Sequence, residues 1–102
     1  CSRISSMFAR MTLNKLLVMK YLVGRGKAIV SQREIAKRTL ITAKQLGGVL
    51  SALSRTDYDG SHVIEPMGRD EKTRTLRWRL NTKLVNPVLA ERDIKALINS
   101  YK

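Results

Sequence analysis

Two helix-start patterns lie close together in the middle of the chain and restrict its fold more than any other feature. Glu34 follows Ser31 by three residues, and Gln45 follows Thr42 at the same spacing. In this capping pattern the hydroxyl accepts a hydrogen bond from a backbone N–H in the first turn, while the longer side chain reaches back to the cap. The sequence therefore predicts two helices joined by a tight connection, which Leu40 fills from the core side. The helices cover residues 32–38 and 42–55.

Two further helices are predicted, one before this pair and one near the end of the sequence. Thr12 is positioned to cap the first helix, which Gly24 and Gly26 end. Asn86 is positioned to cap the last helix, and Pro87 takes its first helical position. One face of that last helix is apolar, so it must pack against another apolar surface.

The second half of the chain also contains a stretch in which apolar residues alternate with polar ones. Leu76, Trp78 and Leu80 alternate with arginines, which is typical of a half-buried strand whose apolar residues, Trp78 included, face the core. Residues 63–67 supply its partner, which we expect at a sheet edge because Pro66 has no amide proton to donate. The connecting loop covers residues 68–74, and "KAIV" at residues 27–30 adds a short strand.

Two adjacent glycines lie in the middle of the predicted 42–55 helix. Leu46, Val49, Leu50 and Leu53 have the spacing of a buried helical stripe, and a glycine inside a helix costs about 1 kcal/mol relative to alanine. Gly48 lies on the face opposite that stripe, where a small residue lets the helix lie deep in a groove. The alternative is that Gly47 permits close packing against a neighbouring helix, or that the helix kinks there. The face opposite the stripe presents Lys44, Gly48, Ser51 and Arg55.

Charge is the strongest signal in the composition. The net charge is +12. Residues 1–55 contain eleven basic residues and one acidic residue, whereas residues 56–102 contain nine basic and seven acidic residues. Such a field attracts polyanions. Nucleic acid is favoured over an anionic membrane because no basic amphipathic helix has an exposed apolar face. A purely solubilising surface is the other alternative.

The order of the predicted elements resembles the winged helix-turn-helix family of DNA-binding domains. "SQREIAKRTLITAKQLGGVLSALSR" followed by "VIEPMGRDEKTRTLRWRL" carries this resemblance, which covers about residues 12–80. It implies an α+β, mostly α fold, with a three-helix core, a β-hairpin wing and an added C-terminal helix. The expected organisation is a flexible N-terminal extension over residues 1–11, a DNA-binding domain over 12–81 and a C-terminal helical segment over 82–102.

The resemblance also implies how the chain contacts double-stranded DNA. In that family the third helix enters the major groove and the wing lies on the backbone or in the minor groove. The contact residues that follow are Ser31, Gln32, Arg33, Thr42, Lys44, Gln45, Gly48, Ser51, Arg55, Arg69, Lys72, Arg74 and Arg77. The alternative for these cations is a solvated helix face, or charges that keep an edge strand from aggregating.

The terminal helix is similar to the one through which small prokaryotic regulators and DNA-organising proteins dimerise. Its apolar face predicts a homodimer, although packing on its own domain is the alternative. The expected dimerisation residues are Leu89, Ile94, Leu97, Ile98 and Tyr101. The leading hypothesis is a dimeric transcription regulator. The alternatives are a DNA-organising or partition protein with weak sequence preference, and a protein-interaction domain of a larger machine.

Residues suited to catalysis do not converge in this sequence. His62 is the only histidine and Cys1 the only cysteine, so no clustered thiolate metal site is expected. We therefore predict a protein that is not an enzyme and that has no cofactor, metal or small-molecule substrate. No apolar run is long enough to span a bilayer, and the expected location is cytoplasmic and nucleoid-associated.

Overall fold

The computed structural model describes residues 7–58 and 61–100. It has the α+β, mostly helical fold that the sequence predicts. A helical turn over residues 7–9 comes first. The helices that follow are α1 (Leu13–Arg25), α2 (Gln32–Thr39), α3 (Ala43–Ser54) and α4 (Pro87–Asn99). The strands are β1 (Val30–Ser31), β2 (Asp57–Tyr58), β3 (Ser61–His62), β4 (Ile64–Arg69) and β5 (Leu76–Leu80).

All four helices begin at the cap that the sequence predicts. The side-chain oxygens of Thr12, Ser31, Thr42 and Asn86 each accept a hydrogen bond from a backbone N–H in the first turn. Each cap satisfies a donor that has no partner within the helix. The four local sequence signals therefore fix where the helices start.

The carboxylate of Glu34 has a role that the capping pattern does not predict. It accepts a hydrogen bond from the hydroxyl of Tyr21, which ties α2 to α1. Burial raises the pKa of Tyr21, and the hydrogen bond to Glu34 and its negative charge raise it further. Both effects of Glu34 favour the neutral phenol over the phenolate. The two helices are therefore joined by a polar contact as well as by apolar packing.

The ends of α1 and α2 differ from the prediction in detail. Gly24 lies inside α1 and does not end it. The helix ends at Gly26, which has a φ of 61°. Leu40 ends α2 in the left-handed conformation and is 90% exposed, so the expectation that it fills the turn from the core side is wrong. The left-handed residue reverses the chain direction, and the next side chain, Ile41, is the one that is buried.

The main sheet has three antiparallel strands in the order β1-β5-β4. Val30 pairs with Trp78 on one side of β5, and Pro66 pairs with Trp78 on the other. The edge position predicted for Pro66 is therefore confirmed. The register shifts between Pro66 and Arg69, where Gly68 adopts a φ of 78°. Such a bulge sharpens the local twist of the hairpin.

A second, two-stranded sheet was not expected from the sequence. Strands β2 and β3 pair in antiparallel fashion, with Asp57 opposite His62. By sequence alone, the Asp59–Gly60 pair marks residues 56–61 as a loop. Asp59 and Gly60 themselves lie outside the described residues.

One apolar core joins the helices and the main sheet. The three leucines of the predicted α3 stripe are fully buried, and its Val49 is half-buried. Ile94 of α4 and Trp78 of the sheet are also buried. Among the described residues, no helix is both long and apolar enough to cross a membrane. The indole N–H of Trp78 has no hydrogen-bond partner among the described residues. Such an unsatisfied donor costs about 1–3 kcal/mol, which the burial of the large ring offsets.

The first and last described segments both pack on the core. Phe8 and Met11 are buried, so residues 7–11 are not the expected flexible extension, while residues 1–6 lie outside the described residues. The face of α4 packs against α1 of the same chain, which buries Ile94 and Ile98. These two residues are therefore core residues and are not exposed for dimerisation. Leu97 is half-buried against the same core, and Leu89 is 51% exposed. Tyr101 lies outside the described residues.

Candidate nucleic-acid interface

Helices α2 and α3 pack on each other and are joined by residues 40–42. The buried leucines of α3 fix which face of that helix points outward. Lys44, Gln45 and Gly48 are exposed on this outward face. Thr42 precedes them, and its hydroxyl accepts a hydrogen bond from the amide of Gln45 at 3.3 Å. The start of α3 therefore presents a cation, an amide side chain and helix N–H groups to solvent.

The two glycines of α3 have different surroundings. A Cβ added to Gly48 has nothing within 4 Å outside its own helix, so Gly48 faces open space. A Cβ added to Gly47 comes within 3.8 Å of the side-chain Nε2 of Gln32, which is an ordinary van der Waals distance. Neither glycine is therefore required by close packing. The helix runs unbroken from Ala43 to Ser54.

At the C-terminal end of α3, the side chains of Ser51 and Arg55 are hydrogen-bonded to each other. The Arg55 guanidinium donates a hydrogen bond from Nη1 to Oγ of Ser51 at 2.8 Å. This contact uses one lone pair of the hydroxyl and holds the arginine along the helix. Ser51 and Arg55 thus lie on the predicted face, but as a coupled pair.

The β4–β5 turn is built around Asp70. Its Oδ1 accepts hydrogen bonds from the amides of Lys72 at 2.8 Å and Thr73 at 3.1 Å. These bonds stabilise the charged form and so hold the pKa of the Asp70 carboxyl below its usual value. The bond from Thr73 has the largest effect, followed by the bond from Lys72. Asp70 therefore shapes the turn backbone, and the side chain of Lys72 is exposed at its tip.

Arg69 and Arg74 are the basic residues at the two ends of this turn. Arg69 donates from Nη1 to the carbonyl oxygen of Arg74 at 2.9 Å. The Arg74 amide in turn donates to the carbonyl oxygen of Asp70 at 2.8 Å. Arg74 has a φ of 58°, and the side chains of both arginines are exposed. The turn is thus internally hydrogen-bonded while its cations face solvent.

Arg77 has a different position from the other predicted wing cations. Its Nη2 donates to the carbonyl oxygen of Met67 at 3.0 Å, and its Nε is buried without a partner among the described residues. The side chain therefore lies across the bulge of β4 and is half-buried. Bulge geometry, which alternation alone does not reveal, explains why this arginine is less exposed than Arg69 and Arg74.

A cleft of about 390 Å³ lies between α2, the start of α3 and the β4–β5 turn; we call it the hairpin cleft. Arg33 comes to it from α2, and Arg69 and Arg74 come from the hairpin. Gln32 also lines the cleft. Ser31, the cap of α2, is the residue before Gln32 and does not line the cleft; in the sheet it pairs with Arg77. The cleft thus brings together predicted residues that are far apart in sequence.

Four lining residues of the hairpin cleft were not predicted. They are Ala36, Ala43, Thr75 and Leu76. Three of them are apolar and the fourth is a small hydroxyl residue, so nothing in the sequence marks them as functional. Only the packing of the hairpin beside the two helices places them on one surface.

These surfaces offer cations and hydrogen-bond donors to a ligand. Within residues 7–58 and 61–100, no group of three or more His, Cys, Asp or Glu residues is placed to hold a metal ion. The predicted contact residues on α3, the β4–β5 turn and the cleft are mostly basic or neutral, which suits a polyanion. Comparison with protein-family models, curated proteins and solved structures finds no match to this chain.

Proposed function

We propose that this chain is a double-stranded DNA-binding protein of the winged helix-turn-helix type. In this proposal α2 and α3 form the helix-turn-helix, α3 enters the major groove, and the β4–β5 hairpin is the wing. The basic residues at the wing tip then contact the phosphate backbone or the minor groove. Bound in this way, the protein acts as a transcription regulator by occupying its site.

The hairpin cleft supplies the observation that carries this proposal. Arg33 at the start of α2, Ala43 at the start of α3, and Arg74 of the hairpin all line it. A single duplex can therefore meet both helix starts and the hairpin on one surface. Backbone N–H groups at helix starts and arginine side chains are the usual partners of phosphate oxygens in protein–DNA complexes.

The open surroundings of Gly48 support the choice of α3 as the inserted helix. A helix with side chains is about 10–12 Å across, and the major groove is about 12 Å wide. Because Gly48 has neither a side chain nor a neighbour within 4 Å of its Cβ position, the helix backbone can approach the base edges closely there. Lys44 and Gln45 lie about one helical turn before Gly48 and supply hydrogen-bond donors to phosphates and bases.

The affinity of the chain for a random-sequence duplex, measured as salt rises from about 50 to 200 mM, tests the proposal. Six or more phosphate contacts predict a loss of about a thousandfold or more over this range. Lys44→Gln should lower the slope of log affinity against log salt by about one. Arg92→Gln is the matched control, since it removes one exposed charge from α4, which packs on α1.

Three results would contradict the proposal. Absence of duplex binding even at about 50 mM salt excludes DNA as the partner, since phosphate contacts are strongest at low salt. An equal effect of Lys44→Gln and Arg92→Gln shows that only the overall charge matters. A slope unchanged by Lys44→Gln removes α3 from the contact surface.

The Ser51–Arg55 contact favours a second candidate, a DNA-organising protein with weak sequence preference. Arg55 is engaged with Ser51 at 2.8 Å, and Gly48 has no side chain, so few groups on α3 remain to read base edges. Selection of binding sites from a random duplex pool separates the candidates. A regulator enriches one sequence strongly, whereas an organising protein leaves the pool nearly unchanged.

A further inference from the structure

We propose that the hairpin cleft is also a binding site for a small aromatic carboxylate, and that this ligand competes with DNA. The competition rests on the proposed function, because it requires that DNA contact the same arginines. Binding of the carboxylate itself does not depend on the proposed function. The proposal follows from the charge, the apolar wall, the size and the rigidity of the cleft.

The charge of the cleft selects an anion. Arg33, Arg69 and Arg74 line it, and none of its lining residues that the structure describes is acidic. Arg33 is the second residue of α2, and Ala43 is the first residue of α3. Both helix starts therefore add the positive ends of their dipoles to the three guanidinium groups. Planar guanidinium groups match a carboxylate particularly well, because they can donate two parallel hydrogen bonds.

The apolar wall of the cleft favours a ligand that has an apolar part as well as a negative charge. Ala36, Ala43 and Leu76 line the cleft together with the arginines. An inorganic anion gains nothing from these side chains, whereas a flat hydrocarbon ring is removed from water against them. Arginine planes also stack on aromatic faces. An apolar wall with a few converging polar groups is typical of a small-molecule site.

The size of the cleft suits a ligand of one or two rings. Its volume of about 390 Å³ lies at the lower end of the range for small-molecule sites, about 300–1,000 Å³. A bicyclic carboxylate fits within such a space without extending into solvent. We therefore choose 2-naphthoate as the probe.

The hydrogen bonds of the β4–β5 turn hold the basic side of the cleft in place. Arg69 is fixed by its bond to the Arg74 carbonyl, and the Arg74 amide is fixed by its bond to Asp70. Asp70 in turn accepts bonds from two amides of the turn. These bonds hold the turn backbone and the Arg69 guanidinium, so this side of the cleft loses less conformational freedom on binding, which favours a small ligand.

Titration of the full chain with 2-naphthoate at constant ionic strength, followed by amide chemical shifts, tests binding. We expect saturable shifts concentrated at Ala36, Ala43, Thr75 and Leu76. Arg33→Gln should weaken binding about tenfold, because it removes a charge-assisted hydrogen bond. Lys37→Gln is the matched control, since Lys37 is exposed on the same helix but does not line the cleft, and it should leave the affinity within about twofold.

Two further probes separate charge from apolar contact. Neutral 2-naphthamide should bind much more weakly than 2-naphthoate, and inorganic phosphate should not reproduce the shifts at Ala36 and Leu76. Equal binding of naphthamide overturns the role of the arginines. Equal binding of phosphate at the same residues overturns the role of the apolar wall. Shifts scattered over the surface, or equal effects of the Arg33 and Lys37 variants, overturn the site.

Displacement of a labelled duplex by 2-naphthoate, with naphthamide as control, tests the competition. If the chain binds 2-naphthoate in the cleft but no duplex, the proposed function fails and the carboxylate site stands. If it binds the duplex but not 2-naphthoate, the carboxylate site fails and the proposed function stands. If both bind without displacement, the competition is refuted.

Discussion

At position 48, helix stability favours alanine, whereas the proposed function favours glycine. Gly48 lies in the middle of α3 with open space where a Cβ would be. Alanine at such a position stabilises a helix by about 0.5–1 kcal/mol. A methyl group at the point of closest approach to the groove, however, holds the helix away from the base edges. The proposed groove contact therefore accounts for a glycine that is unfavourable for the fold.

Gly48→Ala should raise the stability of the chain and weaken its binding to DNA. We expect the free energy of unfolding to rise by about 0.5–1 kcal/mol, and Tm to rise by a few degrees. Gly47→Ala is the control, because it has the same effect on the helix but lies beside Gln32. Thermal unfolding and duplex titration of both variants check the prediction. Equal DNA affinity of the two variants would argue against a special role for Gly48.

In α3 and β5 the local spacing predicts which side chains are buried, whereas at two positions of irregular backbone it does not. The leucine stripe of α3 and the core position of Trp78 follow from helical and strand periods, and both are confirmed. Leu40 and Arg77 lie at a left-handed helix end and opposite a bulge. Periodicity does not define a side-chain direction at such positions.

At the scale of elements, the helices were more predictable than the strands. Capping residues mark a helix start locally, so all four helices begin where the sequence indicates. The β2–β3 pair consists of strands of two residues each, too short to show an alternating pattern. Its stability depends on the neighbouring structure, which the local sequence does not encode.

The turn of the β4–β5 hairpin should respond to pH through Asp70. The pKa of this carboxyl is lowered in the folded chain from its ordinary value of 3.8. The stability that this carboxylate gives the folded chain is therefore fully present at pH values above the ordinary pKa. It is lost as the pH falls through the lowered pKa. The amide shifts of Lys72 and Thr73 should move in one step at a pH below 3.8.

Asp70→Asn provides the control for this titration. The amide oxygen of asparagine still accepts hydrogen bonds but does not titrate, so the variant should keep the turn and lose the pH step. Asp70→Ala removes the acceptor and should free the two amides at neutral pH, as seen by faster hydrogen exchange. A wild-type step at or above the ordinary pKa would refute the assigned hydrogen bonds.

At the scale of the whole molecule, the candidate site depends on the packing of the hairpin beside the helices. The sequence predicts Arg33 and Arg74 as contact residues but gives no reason for them to line one cleft. It also gives no sign that Ala36 and Leu76 line that cleft, since their types are those of ordinary packing residues. The buried Phe8 and the packing of α4 against α1 are likewise long-range features that no local pattern reveals.

The position of Ile94 leads to a prediction about the role of α4. Ile94 is fully buried within one chain, so Ile94→Ala should lower the free energy of unfolding by about 2–5 kcal/mol. Leu89→Ala, at a position that is 51% exposed on the same helix, should cost less than about 1 kcal/mol. Urea unfolding followed by circular dichroism measures both. If α4 served mainly to join two chains, Ile94→Ala would instead shift sedimentation towards monomers and leave the urea midpoint of the monomer unchanged.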